Sequence, residues 1–468
     1  MINVHWTLHF RNAYRKGYDM AARMKNMTEG KPASLILAFA LPLMIGNVFQ
    51  QLYTVVDTMV VGKALGVNAL AAIGAADWMN WMMLGVIQGI TQGFGILMAQ
   101  QFGAGKYDEL RKTVGCSITL SLFSSVLLLC TGQIIAHPIL SLLQTPPEII
   151  GDALLYLRIM YLGIPIVMSY NLLATILRSL GDSRTPLLAM IAAAIVNIAL
   201  DLLFVLVFGL GIGGAAAATL IAQLFSSLFC LYHIRKIEIL SLCRSDFGLQ
   251  DRLSSKLLML GSPMAFQNAV ISIGGMIVQF VVNGSGVIFI AGFTATNKLY
   301  GVLEIAATSY GYSMVTYTGQ NLGAGRTDRI RKGMRAAVLI ALATSAVIAA
   351  IMLLGGKAIL GCFISGTPQE VEQTLYVAYY YLAIMSLCLP ILYILHVTRS
   401  TIQGVGNTVL PMVSGIAEFI MRAATAILLP MVIGETGIFY AEIMAWVGAD
   451  LILICSYFAV MKKMDPSG

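Results

Sequence analysis

Asp57, in QQLYTVVDTMVVG, and the pair Asn197 and Asp201, in VNIALD, are polar groups set deep in apolar sequence. Asn197 and Asp201 are four residues apart and share one helical face, as do Tyr53 and Asp57. Thr219 stands close behind them, on the stretch opened by the Gly-rich turn GLGIGGAAAAT. Two carboxylates, an amide oxygen and a hydroxyl form an oxygen-rich set suited to a hard cation such as Na⁺. Alternatively, two carboxylates close together in a low dielectric resist ionising together, and such a pair can carry a proton. The plain alternative is that each acid is merely paired or lies at a wet helix end. A carboxylate in the hydrocarbon region is costly, however, and is usually functional.

The elements that must position these groups are membrane spans. Of 468 residues, 58% are hydrophobic and 11% charged, and mean hydropathy is +0.83. A soluble domain carries about 25% charged residues, so the surplus apolar surface must face lipid. Twelve stretches reach the roughly 20 residues a span requires: 34–61, 70–99, 113–136, 152–178, 186–208, 214–235, 256–283, 288–319, 335–355, 374–400, 409–432 and 438–461. With the N-terminus inside, 24 of the 29 Lys and Arg residues fall on the inner face, Arg399 included. The positive-inside rule then predicts N-in and C-in topology. The basic patches follow that rule, so the net charge of +7 is no nucleic-acid footprint. Seven scattered cysteines without metal-ligand spacing read as small buried hydrophobes.

The predicted organisation is a tail (1–33), a first lobe (34–235), an inner loop (236–255), a second lobe (256–461) and a tail (462–468). Residues 1–27, with His5, Trp6, His9 and Phe10, could form a surface helix; equally, translation could start at Met27. An internal echo supports two parallel repeats. QQFGAGKYDELRK (100–112) returns as QNLGAGRTDRIRK (320–332), identical at seven of thirteen positions. Both GAG segments read as tight turns, since the phosphate-loop pattern GxxxxGK[ST] is absent. Pro42 and Asn47 match Pro263 and Asn268, 221 residues on. The echo fails at the acids: Asp57 meets Val278, while Asn197 and Asp201 meet Arg422 and Ala426. One half builds the same helices without these groups, so the fold does not require them, and the first lobe is the candidate cation site.

Other intramembrane polar residues carry less. Glu418 and Arg422 are four apart and read as a structural pair. Lys298 or Glu304 could line a cavity wall in the second half. Asp77, with Trp78 and Trp81, reads as an interfacial anchor or as a contact for a cationic substrate. His396 reads as a satisfied core histidine.

PLMIGNVFQQLYTVVDTMVVGKALGVNALAAIG, the two GAG loops, and VNIALDLLF followed by GIGGAAAAT together resemble the multidrug and toxic compound extrusion (MATE) family from about Ala33 to Met461. The resemblance implies an all-α polytopic membrane protein with twelve transmembrane helices in two pseudo-symmetric six-helix lobes around a central cavity. It implies an exporter, in a bacterial inner or plasma membrane, of organic cations or other amphipathic compounds that exchanges them for H⁺ or Na⁺ with no other cofactor; a monomer is expected, a dimer being neither implied nor excluded. It assigns the coupling cation to Asp57, Asn197, Asp201 and Thr219. Tyr53 becomes a cavity residue, with either Tyr156 or Tyr161 as a fourth-span partner. Some members place acids in the second lobe; here the seventh span offers only Gln267, which disfavours a Na⁺ site there. A flippase for lipid-linked precursors of the same superfamily is the alternative, disfavoured by twelve spans and few cavity cations. A membrane-embedded enzyme is remote, because no HExxH, GxSxG or Cys/His cluster appears.

Overall fold

The structure, a computed structural model, describes residues 24–143, 145–362, 364 and 367–464. The suggested surface helix at the N-terminus therefore lies almost wholly outside the described residues. Helices α1 (Pro32–Leu65), α2 (Val67–Gly103) and α3 (Tyr107–Leu142) lead into α4, which runs Pro147–Leu162 and Ile164–Ser179 with a 48° bend between. Next come α5 (Arg184–Asp201), α6 (Gly211–Ile234), α7 (Asp251–Asn283) and α8 (Val287–Gly323). The chain ends with α9 (Thr327–Gly361), α10 (Pro368–Gly404), α11 (Val409–Leu428) and α12 (Ala441–Met464).

Among the described residues ten helical segments are long and apolar enough to cross a membrane, and the bent α4 makes an eleventh. The twelfth, α8, has the length, 37 residues, but a less apolar composition that includes Lys298 and Glu304. An all-helical chain suits this setting, because a helix satisfies its backbone polar groups within the segment.

Three apolar cores hold the helices. One joins residues of α7–α12 with Met27 and with Ile36, Phe39 and Leu43 of α1. Another joins Val61 of α1 with α2, α3, α4, Val205 and α6, and the third joins α2, α3, α4, Ala189 of α5 and α6 with Leu257 and Leu260 of α7. The first helix of each half thus roots its basal end in the other half. Asn47 on α1 donates to Ser309 Oγ on α8 at 3.4 Å, and its repeat partner Asn268 on α7 donates to the Gly85 carbonyl on α2 at 2.8 Å. The halves also meet along α2 and α7, where glycine lets backbones touch: a Cβ at Gly93 would land on Gly261, and one at Gly89 on Ala265.

The echoed segments have a definite role here. Gly105 and Gly325 take φ of 70° and 71°, which turns the chain. Gly103 and Gly323 serve a different end: a Cβ on either would strike the backbone carbonyl of Gln320 or Gln100, reciprocally across the two halves. The face bearing both GAG loops is therefore sealed between the halves. Residues before α1 add to the seal. The Met27 N–H donates to Gln320 Oε1 at 2.8 Å, its carbonyl accepts from Asn321 Nδ2 at 3.1 Å, and the Thr28 carbonyl accepts from Arg326 at 2.8 Å.

Candidate cation site

Asp57 reaches the site from the far half of α1, one turn beyond Tyr53. Asn197 and Asp201 end α5, both buried, at 1% and 0% exposure. The helix changes character directly after Asp201: Leu202–Val207 forms wide π-type turns, and Gly209 and Gly211 then reverse the chain with positive φ. Such π segments recur at functional sites, and this one brings α6 back so that Thr219 faces Asn197. Asn197 Nδ2 donates to Thr219 Oγ1 at 3.5 Å, and Thr219 Oγ1 donates to the Ala215 carbonyl at 3.1 Å.

What distinguishes this cluster is the acceptors left over. Asp57 Oδ1, Asn197 Oδ1 and both carboxyl oxygens of Asp201 are buried and accept nothing from any protein donor among the described residues. The Asp57 and Asp201 carboxyls stand close enough to influence each other electrostatically, yet no carboxylate can donate to another. A buried polar atom without a partner costs several kcal/mol in an apolar setting, of the order of 2–7. Protons or a hard cation between these oxygens would meet that deficit. Among the described residues no cluster of three or more His, Cys, Asp or Glu side chains is placed to hold a metal ion. Beside the cluster lies a small cavity of about 30 Å³, lined by Gln50, Tyr53, Tyr170, Asn197, Thr219 and Gln223.

The remaining sequence candidates divide. Tyr156 is buried within electrostatic range of Asp57, Asp77, Tyr53 and Asp201. Tyr161 is 1% exposed and packs on Gly132 of α3, away from these groups, so its reading as a cavity residue is corrected. Gln267 is also corrected: it is 2% exposed, lies against Gly415 of α11 and accepts from Gln403 at 3.4 Å. Its amide serves helix packing. Glu304 is half-buried and lies 3.3 Å from His396 Nε2, so the imidazole meets a carboxylate across two helices.

The second half holds a charge network that the sequence showed only in part. Glu418 and Arg422 pair at 3.0 Å, as their spacing implies. Arg399, counted among the inner-face cations, is instead 8% exposed and bonds Glu418 at 2.6 Å. Glu442 of α12 bonds Arg422 at 2.7 Å, and Asp450 lies within electrostatic range of Arg399 and Glu418. Glu442 and Asp450 were missed, although an acid inside an apolar span is itself a flag.

The MatE family pattern matches residues 42–203 and 263–428. YpnP of Bacillus subtilis, a probable multidrug resistance protein, is 30% identical over 315 residues, 67% of this chain and 69% of that one. YoeA, a second probable multidrug resistance protein of the same organism, is 30% identical over 349 residues, 73% and 74% of the two chains. The outward-facing structure of a multidrug resistance MATE transporter superposes with a TM-score of 0.87 at 21% identity, covering 94% of this chain and 98% of that one. That likeness carries the fold, while the family pattern and the two relatives carry the kinship: the chain belongs to the MATE family of multi-pass membrane transporters.

Proposed function

We propose that this protein is a secondary active multidrug exporter, an antiporter that exchanges H⁺ or Na⁺ for organic cations or other amphipathic compounds. The observation that carries the reading is the set of donorless oxygens on Asp57, Asn197 and Asp201. The names of YpnP and YoeA support the class of cargo. The basic face, with both GAG loops, is the cytoplasmic one, and the sealed basal contacts correspond to a state closed to the cytoplasm.

The coupling follows from α1. Its base is rooted in the core of the second half, and its outer part carries Asp57 to the first. Pro42 lies inside α1 and lacks the N–H that would complete the helical ladder, so the helix has a place to flex between the two. A cation taken between Asp57 and Asp201 draws the outer part of α1 onto α5, reshapes the adjoining cavity and expels substrate outward. Return of the cation to the cytoplasmic side resets the helix.

The test is efflux of a fluorescent organic cation from proteoliposomes, first under an imposed pH gradient and then under a Na⁺ gradient. One gradient is expected to drive efflux in the wild type and neither in Asp57→Asn. Full gradient-driven efflux by Asp57→Asn would sink the site assignment, and no response of the wild type to either gradient would sink the antiport reading.

A further inference from the structure

Lys298 lies on α8, eleven residues from the helix start at Val287, or about 16 Å at 1.5 Å per residue. No carboxylate among the described residues lies within ion-pair distance of it, although it is exposed rather than buried. A charged side chain with no ion-pair partner inside a membrane span is costly unless it faces a wet space, and such residues are usually functional.

The helix faces show what Lys298 looks toward. Gly301, one turn on, lies against Gln51 of α1, and Ser309, eleven residues on, accepts from Asn47 of α1. This face of α8 is the one turned to the first half. Asp77 is its counterpart on α2. Gln92, fifteen residues beyond Asp77, donates to Tyr312 Oη of α8 at 3.2 Å, and Arg178 stacks over that tyrosine ring at 4.5 Å. Asp77 and Lys298 stand about 22 Å and about 21 Å above this Gln92–Tyr312 bridge, counted along their helices. They share one layer, each exposed, and Asp77 feels the charges of Lys298 and Asp57. Trp81, one turn from Asp77 and 64% exposed, adds an aromatic face suited to a cation.

We propose that Lys298 and Asp77 form a two-point recognition site for zwitterionic amphiphiles, Lys298 taking a substrate carboxylate and Asp77, with Trp81, its ammonium group. The inference rests on the exporter reading and narrows its substrate class. Two opposite charges on neighbouring helices that form no ion pair with each other suit a molecule that carries the complementary pair, whereas a simple organic cation gains nothing from Lys298.

The test uses a rhodamine ethyl ester, which is a monocation, and its free acid, which is a zwitterion. Transport into or out of proteoliposomes and equilibrium binding to the purified full-length protein are measured for both. Lys298→Gln is expected to lower transport efficiency and affinity for the free acid about ten-fold, the loss of one charge-assisted hydrogen bond. The ester should be unaffected, and Lys298→Arg should restore the acid. Equal losses for both dyes would overturn the proposal in favour of a gating or packing role. No change for either, or no acid binding by the wild type, would overturn it outright. If the wild type binds the dyes but moves neither, the exporter reading fails, and the binding ratio still decides the role of Lys298.

Discussion

Asn197 in the first half and Arg422 in the second occupy equivalent positions of the repeat, as do Asp201 and Ala426. The two halves treat buried charge in opposite ways there. Around Asn197 and Asp201 the oxygens outnumber the donors, and four acceptor atoms are left without a partner. Around Arg422 the positive charge is built in: its guanidinium bonds Glu418, Glu442 and the Ile271 carbonyl. The second half carries its cation covalently, whereas the first leaves its acceptors open. On the proposed reading, the same scaffold yields a fixed half and a responsive half.

The largest effect should come from making one chemical change, acid to amide, in both halves. Glu418→Gln takes the shared carboxylate from two buried guanidiniums and is expected to destabilise the protein by about 3–5 kcal/mol. Asp201→Asn removes a charge that no donor satisfies, so its unfolding midpoint should stay level or rise. Thermal unfolding in detergent reads both, and equal losses would break the contrast between the halves. A smaller effect sharpens it. Thr219→Val removes the hydroxyl from the cation set and strips Asn197 Nδ2 of its acceptor. The expected result is a loss of up to about ten-fold in apparent affinity for the coupling cation, read from the cation dependence of efflux, with the maximal rate retained.

Much of this was legible in the sequence, because apolar length and basic-residue placement are local properties. The twelve helices and the two halves follow from them directly. The first-half site was legible for another reason: a repeat exposes whatever the fold does not need, and Asp57, Asn197 and Asp201 are such departures. Partners on other helices were not legible. Spacing reveals Glu418–Arg422, which lie four apart on α11, but not that Arg399 of α10 and Glu442 of α12 stand opposite them. Arg399 near a span end looked like an ordinary inner-face cation until packing buried it. Gln267 and Tyr161 were polar groups in apolar runs whose direction no single helix reveals. The GAG echo combined two demands that look alike in sequence, close approach at Gly103 and Gly323 and a turn at Gly105 and Gly325.

The most direct test of the central claim compares gradient-driven efflux by Asp201→Asn and Glu418→Gln in proteoliposomes, normalised to folded protein. The gradient that drives the wild type is predicted to have no effect on Asp201→Asn, while Glu418→Gln, though less stable, stays coupled. Coupled export by Asp201→Asn, or folded Glu418→Gln that has lost its response to the gradient, would contradict the assignment of the coupling site to the first half.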